Sequence, residues 1–480
     1  RDQMYRDFAP EIHKAFLNTV RIAERCSINP LEAQAAIPTY FPIPDIHASS
    51  KDYLYALCLK GVEERFGYLT DAIKERLDLE FNMIAAKFFV DYFLIEWDAV
   101  NFCRTHDIRC SARGSAAGSL MAYVLGISNV DPLRYQLPFE RFFTIEREDK
   151  PDIDLDIMDS GRGDLIEYIT KKYGNEYVAQ IVTFGTMATK YAIKDVARVY
   201  EQQQLGDQLS RFIPKDAKDL KTCVATIPEL QAVYKKDANA RNILSQAMEL
   251  EGITRSTGVH AAGVIIGNKP LRNFIPLRLK DSKDASQGLI TEYEQKHLEE
   301  QGLWKFDFLG LTNLTIIAHT IKNIKRTRNE TVVMEKIPLD DVPGDDEQNK
   351  KRAKAFELLA KGEVIGLFQL EGDKMKEHIK SLKPTRIEDV MAMIALYRPG
   401  PMDSIPDFID ARFGRKKITY LDNRLKEWLD ESYGVIVYQD QVLFIAVNMA
   451  GFSWGKTHKF RKALSKKNAE EVATYRASFV

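Results

Sequence analysis

The segment at residues 151–156, Pro-Asp-Ile-Asp-Leu-Asp, constrains the fold of this chain more than any other. Proline can open a strand but cannot occupy its middle, so a strand is expected to begin at Pro151. Acidic and apolar residues then alternate, and a period of two places Asp152, Asp154 and Asp156 on one face of that strand. The apolar residues between them form the opposite face, which a core can bury.

Three carboxylates on one strand face are spaced roughly 7 Å apart and repel one another. Divalent cations remove this repulsion, and hard cations prefer oxygen ligands. Two-metal sites for phosphoryl transfer hold their ions about 3.5–4 Å apart. The segment therefore predicts a metal site, and the alternative is an acidic edge strand exposed to solvent.

A second alternating segment, Trp-Lys-Phe-Asp-Phe-Leu, occupies residues 304–309. Lys305 and Asp307 fall on one face, and the aromatic residues on the other face require a core, which predicts a central strand. The acid and the base alone fit a cross-strand salt bridge equally well. Placed beside the strand at 151–157, Asp307 would supply the third carboxylate of a metal site.

Two further segments suggest anion binding. Residues 113–119, Arg-Gly-Ser-Ala-Ala-Gly-Ser, precede a predicted helix, and their small side chains let backbone N–H groups and a hydroxyl approach an anion. The lysine of a Walker A loop is absent, and a tight turn with close helix packing is the alternative.

The region 456–467 carries six cations and no acid, which suits phosphates, although charged runs are often only solvated helix faces. These cations are Lys456, Lys459, Arg461, Lys462, Lys466 and Lys467.

Composition limits the classes of protein that this chain can belong to. With 480 residues the chain is too long to fold around a single hydrophobic core, which suggests roughly two to four domains. With 45% hydrophobic and 29% charged residues it is typical of globular proteins. A net charge of −1 means that any nucleic-acid surface must be local.

Cysteine usage and hydropathy indicate the compartment. None of the five cysteines forms a C-x-x-C pair, so neither a zinc site nor a disulfide framework is indicated, and a reducing cytosol is expected. The apolar runs are too short to span a bilayer, so no membrane partner is expected. The chain begins with Arg1 and stops at Val480 in a charged, helical pattern, so we expect a piece of a longer protein.

The remaining pattern is mostly helical. Helices are predicted over 10–25, 50–106 and 120–125, and almost continuously over 164–251. Strands are predicted at 108–111, 151–157, 259–266 and 302–309, and a charged linker at 338–351 precedes further helices.

On these motifs the chain resembles the alpha subunits of bacterial DNA polymerase III, the C-family replicative DNA polymerases, and within them the DnaE-type branch more than the PolC-type branch. The segments that carry the resemblance are 113–126, 151–156, 181–186, 258–263, 305–310, 366–371, 398–402 and 433–439. The match runs over nearly the whole chain, and so many segments in one order make chance similarity very improbable.

The resemblance implies a mixed α+β fold with three parts. A palm sheet like that of polymerase-beta-like nucleotidyltransferases would carry the site, with an inserted helical thumb and mostly helical fingers. The implied domains are a remnant of the PHP domain at 1–30, palm at 31–182 and 256–310, thumb at 183–255 and truncated fingers at 311–480.

The resemblance also implies the activity, which is template-dependent addition of deoxynucleotides to a primer 3′-hydroxyl in chromosomal replication. Asp152, Asp154 and Asp307 match the family's catalytic aspartates and would bind two Mg²⁺ ions. Asp156 is expected to lie beside this site without being an essential ligand.

Other residues match the substrate-binding positions of the family. Gly114 and Ser115 match its Gly-Ser motif and, with Lys305, would bind the triphosphate. Arg461 and Lys462 match a pair of fingers arginines, and a lysine at the second position keeps the charge but loses the bidentate fork. The remaining lysines of 456–467 are expected to bind DNA.

The implied partners are primer-template DNA and deoxynucleoside triphosphates, and in a full-length parent the sliding clamp and other holoenzyme subunits. The implied location is the bacterial cytoplasm at the nucleoid. The chain departs from the family in lacking the PHP body with its histidine cluster and the regions after the fingers. It also has Ser111-Ala112 in place of Pro-Gly and Thr457-His458 in place of a small-acidic pair.

Two other classes of protein remain as alternatives. A two-metal nuclease needs similar carboxylates, but it has no need of a triphosphate-binding turn or a distant basic helix. A non-catalytic nucleic-acid-binding module has no use for three acids near a DNA backbone, because they repel it.

Overall fold

The computed structural model describes residues 13–26, 38–146, 150–214, 217–281, 284–465 and 469–479. Its strands are β1 Cys110–Arg113, β2 Asp154–Met158, β3 Val178–Thr186, β4 Thr254–Ile266, β5 Leu277–Asp281, β6 Asp284–Thr291 and β7 Trp304–Leu311. Its helices up to β7 are α1 His13–Arg25, α2 Ser50–Phe66, α3 Asp71–Ala86, α4 Val90–Thr105, α5 Leu120–Val124, α6 Arg162–Tyr173, α7 Thr189–Val199, α8 Gln203–Arg211, α9 Leu220–Thr226, α10 Pro228–Lys236, α11 Ala238–Leu250 and α12 Gln295–Glu300. After β7 follow α13 Thr312–Arg328, α14 Asp346–Lys361, α15 Asp373–Leu382, α16 Ile387–Leu396, α17 Ile405–Arg412, α18 Lys426–Leu429, α19 Gln439–Asn448, α20 Trp454–Ser465, α21 Ala469–Thr474 and α22 Arg476–Phe479.

These elements confirm the expected mixed α+β class and fall into two compact units. One unit comprises residues 39–169 and 306–480, and the other comprises 1–38 and 170–305. The predicted palm, thumb and fingers have other boundaries, so those domain names remain predictions.

The first unit contains β1, β2 and the part of β7 that begins at Phe306. β1 pairs with β2 in antiparallel fashion, and Arg113 lies opposite Asp154. β2 pairs with β7 in parallel fashion, and Asp154 lies opposite Asp307. The two strands that carry the predicted carboxylates are therefore neighbours.

An aromatic core lies under these strands. Phe306 and Phe308 of β7 are fully buried, as are Ile153 and Leu155 on and just before β2. The ring of Tyr92 on α4 packs against Phe306 with centroids 5.3 Å apart. Because the apolar residues of both strands face this core, the alternating acidic residues must face the other way.

A helical core in the same unit involves α15, α16 and α17. It is built around Met375, Ile379, Met393 and Phe408, all 2% exposed or less. A buried acid is fixed beside it: Asp389 accepts hydrogen bonds from Arg412 at 2.7 Å and from the backbone N–H of Thr385 at 3.0 Å. This buried ion pair joins α16 to α17.

The second unit contains the remaining sheet strands and a helical cluster. β3 pairs with β4 in antiparallel fashion and with β6 in parallel fashion, and β5 pairs with β6 in antiparallel fashion. The helices α7 to α11 bury their own apolar core, which includes Ile193, Leu209, Leu230 and Leu244.

The structure corrects one prediction and adjusts others. Almost continuous helix over 164–251 is wrong at Val178–Thr186, which is strand β3, and β5 and β6 were not predicted. A mostly apolar run such as 178–182 fits a buried helix or a buried strand equally well. Here β3 pairs with a neighbouring strand on both of its edges, and this pairing makes the segment a strand. The linker expected at 338–351 is helical from Asp346 onward.

The other elements agree with the sequence to within a few residues. The helices predicted over 50–106 and 120–125 are confirmed, and so are the four predicted strands with shifted ends. The helix predicted over 10–25 is confirmed from His13, and its first residues lie outside the described part of the chain. Across the residues that the structure describes, helices with the length and hydropathy needed to cross a bilayer are absent.

We expect Asp389→Asn to lower the free energy of unfolding by about 3–5 kcal/mol, because it leaves a buried guanidinium without its counter-charge. Urea denaturation at neutral pH measures this. The matched control is Asp407→Asn, which removes an exposed pair with Lys416 and should change little. Equal stabilities for the two variants would contradict the structural role of Asp389.

Candidate active site

The structure brings together the three carboxylates that the sequence singled out. Asp154 and Asp307 lie opposite each other on β2 and β7, and Asp152 lies two residues before the start of β2. One carboxylate oxygen from each residue lies within 4.8 Å of those of the other two. Asp152 is exposed, Asp154 half-buried and Asp307 buried, so the group opens to solvent on one side.

Local hydrogen bonding fixes the backbone between two of these acids. The backbone N–H of Ile153 donates to the hydroxyl of Tyr92 at 3.1 Å, and the Ile153 side chain is fully buried. Asp152 and Asp154 on either side are therefore held on the face away from the core. An all-oxygen donor set of this kind fits hard divalent cations such as Mg²⁺ or Mn²⁺.

Asp156 lies on the same strand but in different surroundings. It is 7% exposed, and its Oδ1 lies 3.4 Å from Nε of Arg113. Burial raises the pKa of its carboxyl, the charge of Arg113 opposes that rise, and Asp154 adds to it. Asp156 is outside the group of three close carboxylates.

Sequence reasoning missed a fourth acid next to this group. Glu96 on α4 is fully buried, and its carboxyl oxygens lack hydrogen bonds of normal geometry to the described residues. Burial first, and then the charges of Asp307 and Asp152, raise the pKa of Glu96 well above its usual range, and Tyr92 offsets this only in part. A glutamate directly after the apolar run 92–95 of a helix was the available signal.

The Gly-Ser segment lies at the edge of the carboxylate group. Residues 114–118 form a short 3-10 helix directly after β1. Gly114 has φ +73°, and a Cβ at this position would lie 3.9 Å from Oδ2 of Asp154. Glycine is needed here because an L side chain in this backbone conformation is strained.

A buried ion pair holds the helix that follows this turn. The carboxylate of Glu80 accepts from Arg76 at 2.6 Å and from the backbone N–H groups of Leu120 and Met121 at 2.9 and 3.0 Å. Arg76 also donates to the carbonyl oxygen of Gly118 at 2.9 Å. The turn at Gly114 and Ser115 is therefore attached to a rigid support.

Lys305 precedes Asp307 by two residues on β7 and is half-buried. The alternation of a strand places its side chain on the same side of β7 as that of Asp307.

The predicted basic helix is α20. Thr457 and Ala463 are fully buried, whereas Lys459 and Lys462 are exposed. The guanidinium of Arg461 donates to Oε1 of Gln439 at 3.2 Å. α20 thus exposes two of its cations, Lys459 and Lys462, to solvent.

The other two lysines singled out near the end of α20, Lys466 and Lys467, lie outside the described residues. Lys456, at the start of the helix, is half-buried with its ammonium 4.0 Å from the centroid of the Phe452 ring. This cation–π contact holds the Lys456 ammonium group against the Phe452 ring.

Contacts attach α19 and α20 to the segment 139–146. Arg141 forms a 2.7 Å ion pair with the buried Asp440 at the start of α19. A Cβ on Gly455 would lie 3.1 Å from Cβ of Glu146, so α20 starts against the same segment.

Comparison with known proteins gives a consistent result. Residues 52–310 match the family model of the bacterial DNA polymerase III alpha NTPase domain, and residues 313–480 match that of the bacterial DNA polymerase III alpha subunit finger domain. Curated relatives include the DNA polymerase III subunit alpha of Bacillus subtilis, 41% identical over 99% of this chain and 41% of the relative. The same-named protein of Neisseria meningitidis serogroup B is 39% identical over 98% of this chain and 41% of the relative. That of Thermus aquaticus is 40% identical over 88% of this chain and 34% of the relative.

The chain therefore spans about two fifths of the length of the curated relatives it matches.

We expect Glu96→Gln to change the pH dependence of stability in metal-free buffer. The pKa of Glu96 is raised in the folded chain, so the folded chain keeps a proton that the unfolded chain releases near pH ~4.3. As pH rises above that value, wild type loses stability relative to Glu96→Gln by about 1.4 kcal/mol per pH unit, until the folded carboxyl also ionises.

Urea denaturation of both proteins in the presence of a chelator, from pH 4 to 8, measures this difference. Parallel stability curves over the whole range would contradict a raised pKa for Glu96.

Proposed function

Because the chain belongs to the family of bacterial DNA polymerase III alpha subunits, we propose that it is the catalytic portion of a DNA-directed DNA polymerase. It would add deoxynucleotides to a primer 3′-hydroxyl under the direction of a template during chromosomal replication. The observation that carries the proposal is the group formed by Asp152, Asp154 and Asp307, with carboxylate oxygens within 4.8 Å of one another.

In this proposal the three aspartates hold two Mg²⁺ ions. When bound, these ions would activate the primer 3′-hydroxyl and neutralise charge on the triphosphate and the leaving pyrophosphate. The aspartates fix the position of the reacting groups because their strands are held by buried apolar residues. Asp156 stays paired with Arg113 and supports β1.

Other residues would bind the incoming nucleotide. The turn at Gly114 lets backbone N–H groups approach phosphate oxygens, and the Ser115 hydroxyl can donate to them. Lys305, Arg461 and Lys462 would supply positive charge to the triphosphate. In this role the exposed Lys462 acts as a point charge and does not form a bidentate fork.

We assign DNA contacts to Lys456, Lys459, Lys466 and Lys467, and of these the exposed Lys459 has the strongest support. The domain division into PHP remnant, palm, thumb and fingers, and partners such as a sliding clamp in the full-length protein, belong to the same proposal. So does a cytoplasmic location at the nucleoid.

Primer extension with Mg²⁺ and all four deoxynucleotides tests the reaction. We expect template-dependent addition by the chain and a loss of at least about a thousandfold in the double variant Asp152→Asn, Asp154→Asn, because metal-based charge stabilisation is lost. Asp164→Asn, which removes an exposed acid of α6, is the matched control and should extend primers normally.

Extension by the double variant at the wild-type rate would contradict the assignment of these aspartates. Metal-dependent degradation of the primer without addition would favour the nuclease alternative. Binding of Mn²⁺ to the chain and to the double variant, followed by electron paramagnetic resonance, tests the metal site without depending on activity.

Binding to primer-template DNA should weaken steeply with salt, because phosphate contacts release counterions. We expect Lys459→Ala to reduce the slope of log affinity against log salt by about 0.9, the value for one phosphate contact on duplex DNA. Fluorescence anisotropy over a salt series measures the slope. Lys416→Ala, which removes an exposed lysine paired with Asp407, should leave the slope unchanged.

A flat salt response, or equal effects of the two lysine variants, would rule out α20 as a DNA-binding surface.

A further inference from the structure

Two of the five cysteines are adjacent in the fold although seven positions separate them in sequence. Cys103 lies near the end of α4, and Cys110 is the first residue of β1. The chain reverses direction between them, since the N–H of Ile108 donates to the carbonyl oxygen of Cys103 at 2.8 Å. This reversal brings the two thiols close enough to interact with each other.

The two thiols differ in accessibility. Cys103 is fully buried, whereas Cys110 is partly exposed. Cys110 lines a cleft of about 1310 Å³ together with Arg104, His106 and Arg109. A small reagent can therefore reach Cys110 but not Cys103.

The pKa values of the two thiols are shifted in opposite directions, and the shift favours the thiolate at the accessible Cys110. Interaction with the Cys103 thiol lowers the pKa of the Cys110 thiol, burial opposes this effect, and the charge of Arg104 adds to it. The same interaction, together with burial, raises the pKa of Cys103. A partly exposed thiol beside an arginine, with a second thiol in contact, has the features of redox-active cysteines.

We propose that Cys110 and Cys103 form a redox pair, in which Cys110 attacks a small-molecule disulfide and Cys103 resolves the product into an intrachain disulfide. The proposal does not depend on the proposed polymerase function.

The exchange balances with a disulfide such as oxidised glutathione. The thiolate of Cys110 attacks one sulfur of the oxidant, a mixed disulfide forms, and one glutathione leaves as a thiolate. Cys103 then gives up its proton and attacks the sulfur of Cys110, which displaces the second glutathione. Two protein thiols are oxidised, and one small disulfide is reduced to two thiols.

The position of the pair links it to the candidate active site. α4 also carries Tyr92 and Glu96, which lie beside the carboxylate group, and β1 leads directly into the turn at Gly114. A disulfide would fasten the end of this helix to the start of this strand.

The chain itself, reduced and then incubated at graded ratios of oxidised to reduced glutathione, tests the proposal. Remaining thiols are alkylated, and peptides are mapped by mass spectrometry. We expect a Cys103–Cys110 disulfide, with Cys110 reacting about ten times faster than the buried Cys58 and the largely buried Cys223. The exposed Cys26 has no such partner thiol among the described residues and should stop at a glutathione adduct.

Two variants separate the roles of the thiols. Cys103→Ser should trap Cys110 as the glutathione adduct, and Cys110→Ser should leave Cys103 unmodified. The circular dichroism melting curve of each variant is compared with that of wild type to check folding. If a variant does not fold, the wild-type peptide map alone decides.

Absence of the Cys103–Cys110 disulfide under conditions that fully modify Cys26 would overturn the proposal. So would rapid modification of Cys103 in the folded Cys110→Ser variant, because the buried thiol would then be the attacking one.

Discussion

The parallel pairing of β2 with β7 brings two acidic strand faces together, and the candidate site depends on this contact. The pairing forces Asp154 and Asp307 into opposite positions. Two like charges about 4 Å apart repel by about 4 kcal/mol at an intermediate dielectric. Burying the four apolar side chains of Ile153, Leu155, Phe306 and Phe308 contributes about 6–12 kcal/mol as an upper estimate, so the core outweighs the repulsion.

The same balance explains the surroundings of the group. Arg113 is placed against Asp156 and opposes the effect of burial there. Glu96 lacks such a counter-charge, and burial together with the charges of Asp307 and Asp152 raises the pKa of its carboxyl. The acids of this region therefore differ in their surroundings: Asp152 is exposed to solvent, Asp156 is paired with Arg113, and Glu96 is buried with a raised pKa. Divalent cations would remove the repulsion that remains between the carboxylates of Asp152, Asp154 and Asp307.

The support behind the Gly-Ser turn follows a different principle. Glu80 satisfies two backbone N–H groups at the start of α5 and a guanidinium at once, so a fully buried acid is compensated from several directions. Arg141 with Asp440 and Arg412 with Asp389 provide similar links at the base of α19 and between α16 and α17. Sequence separation hides these pairs, since Arg141 and Asp440 are 299 positions apart.

The sequence by itself determined the period-two strands, their apolar and acidic faces, the helices around them and the family, because these depend on local alternation and on motifs. Tertiary structure decided what depends on long-range contact. It made 178–186 a strand through pairing on both edges, placed Glu96 beneath the carboxylates, and brought the thiols of Cys103 and Cys110 together. The physical reason is that burial and neighbouring charge, which set the pKa and the reactivity of a side chain, arise from residues distant in the chain.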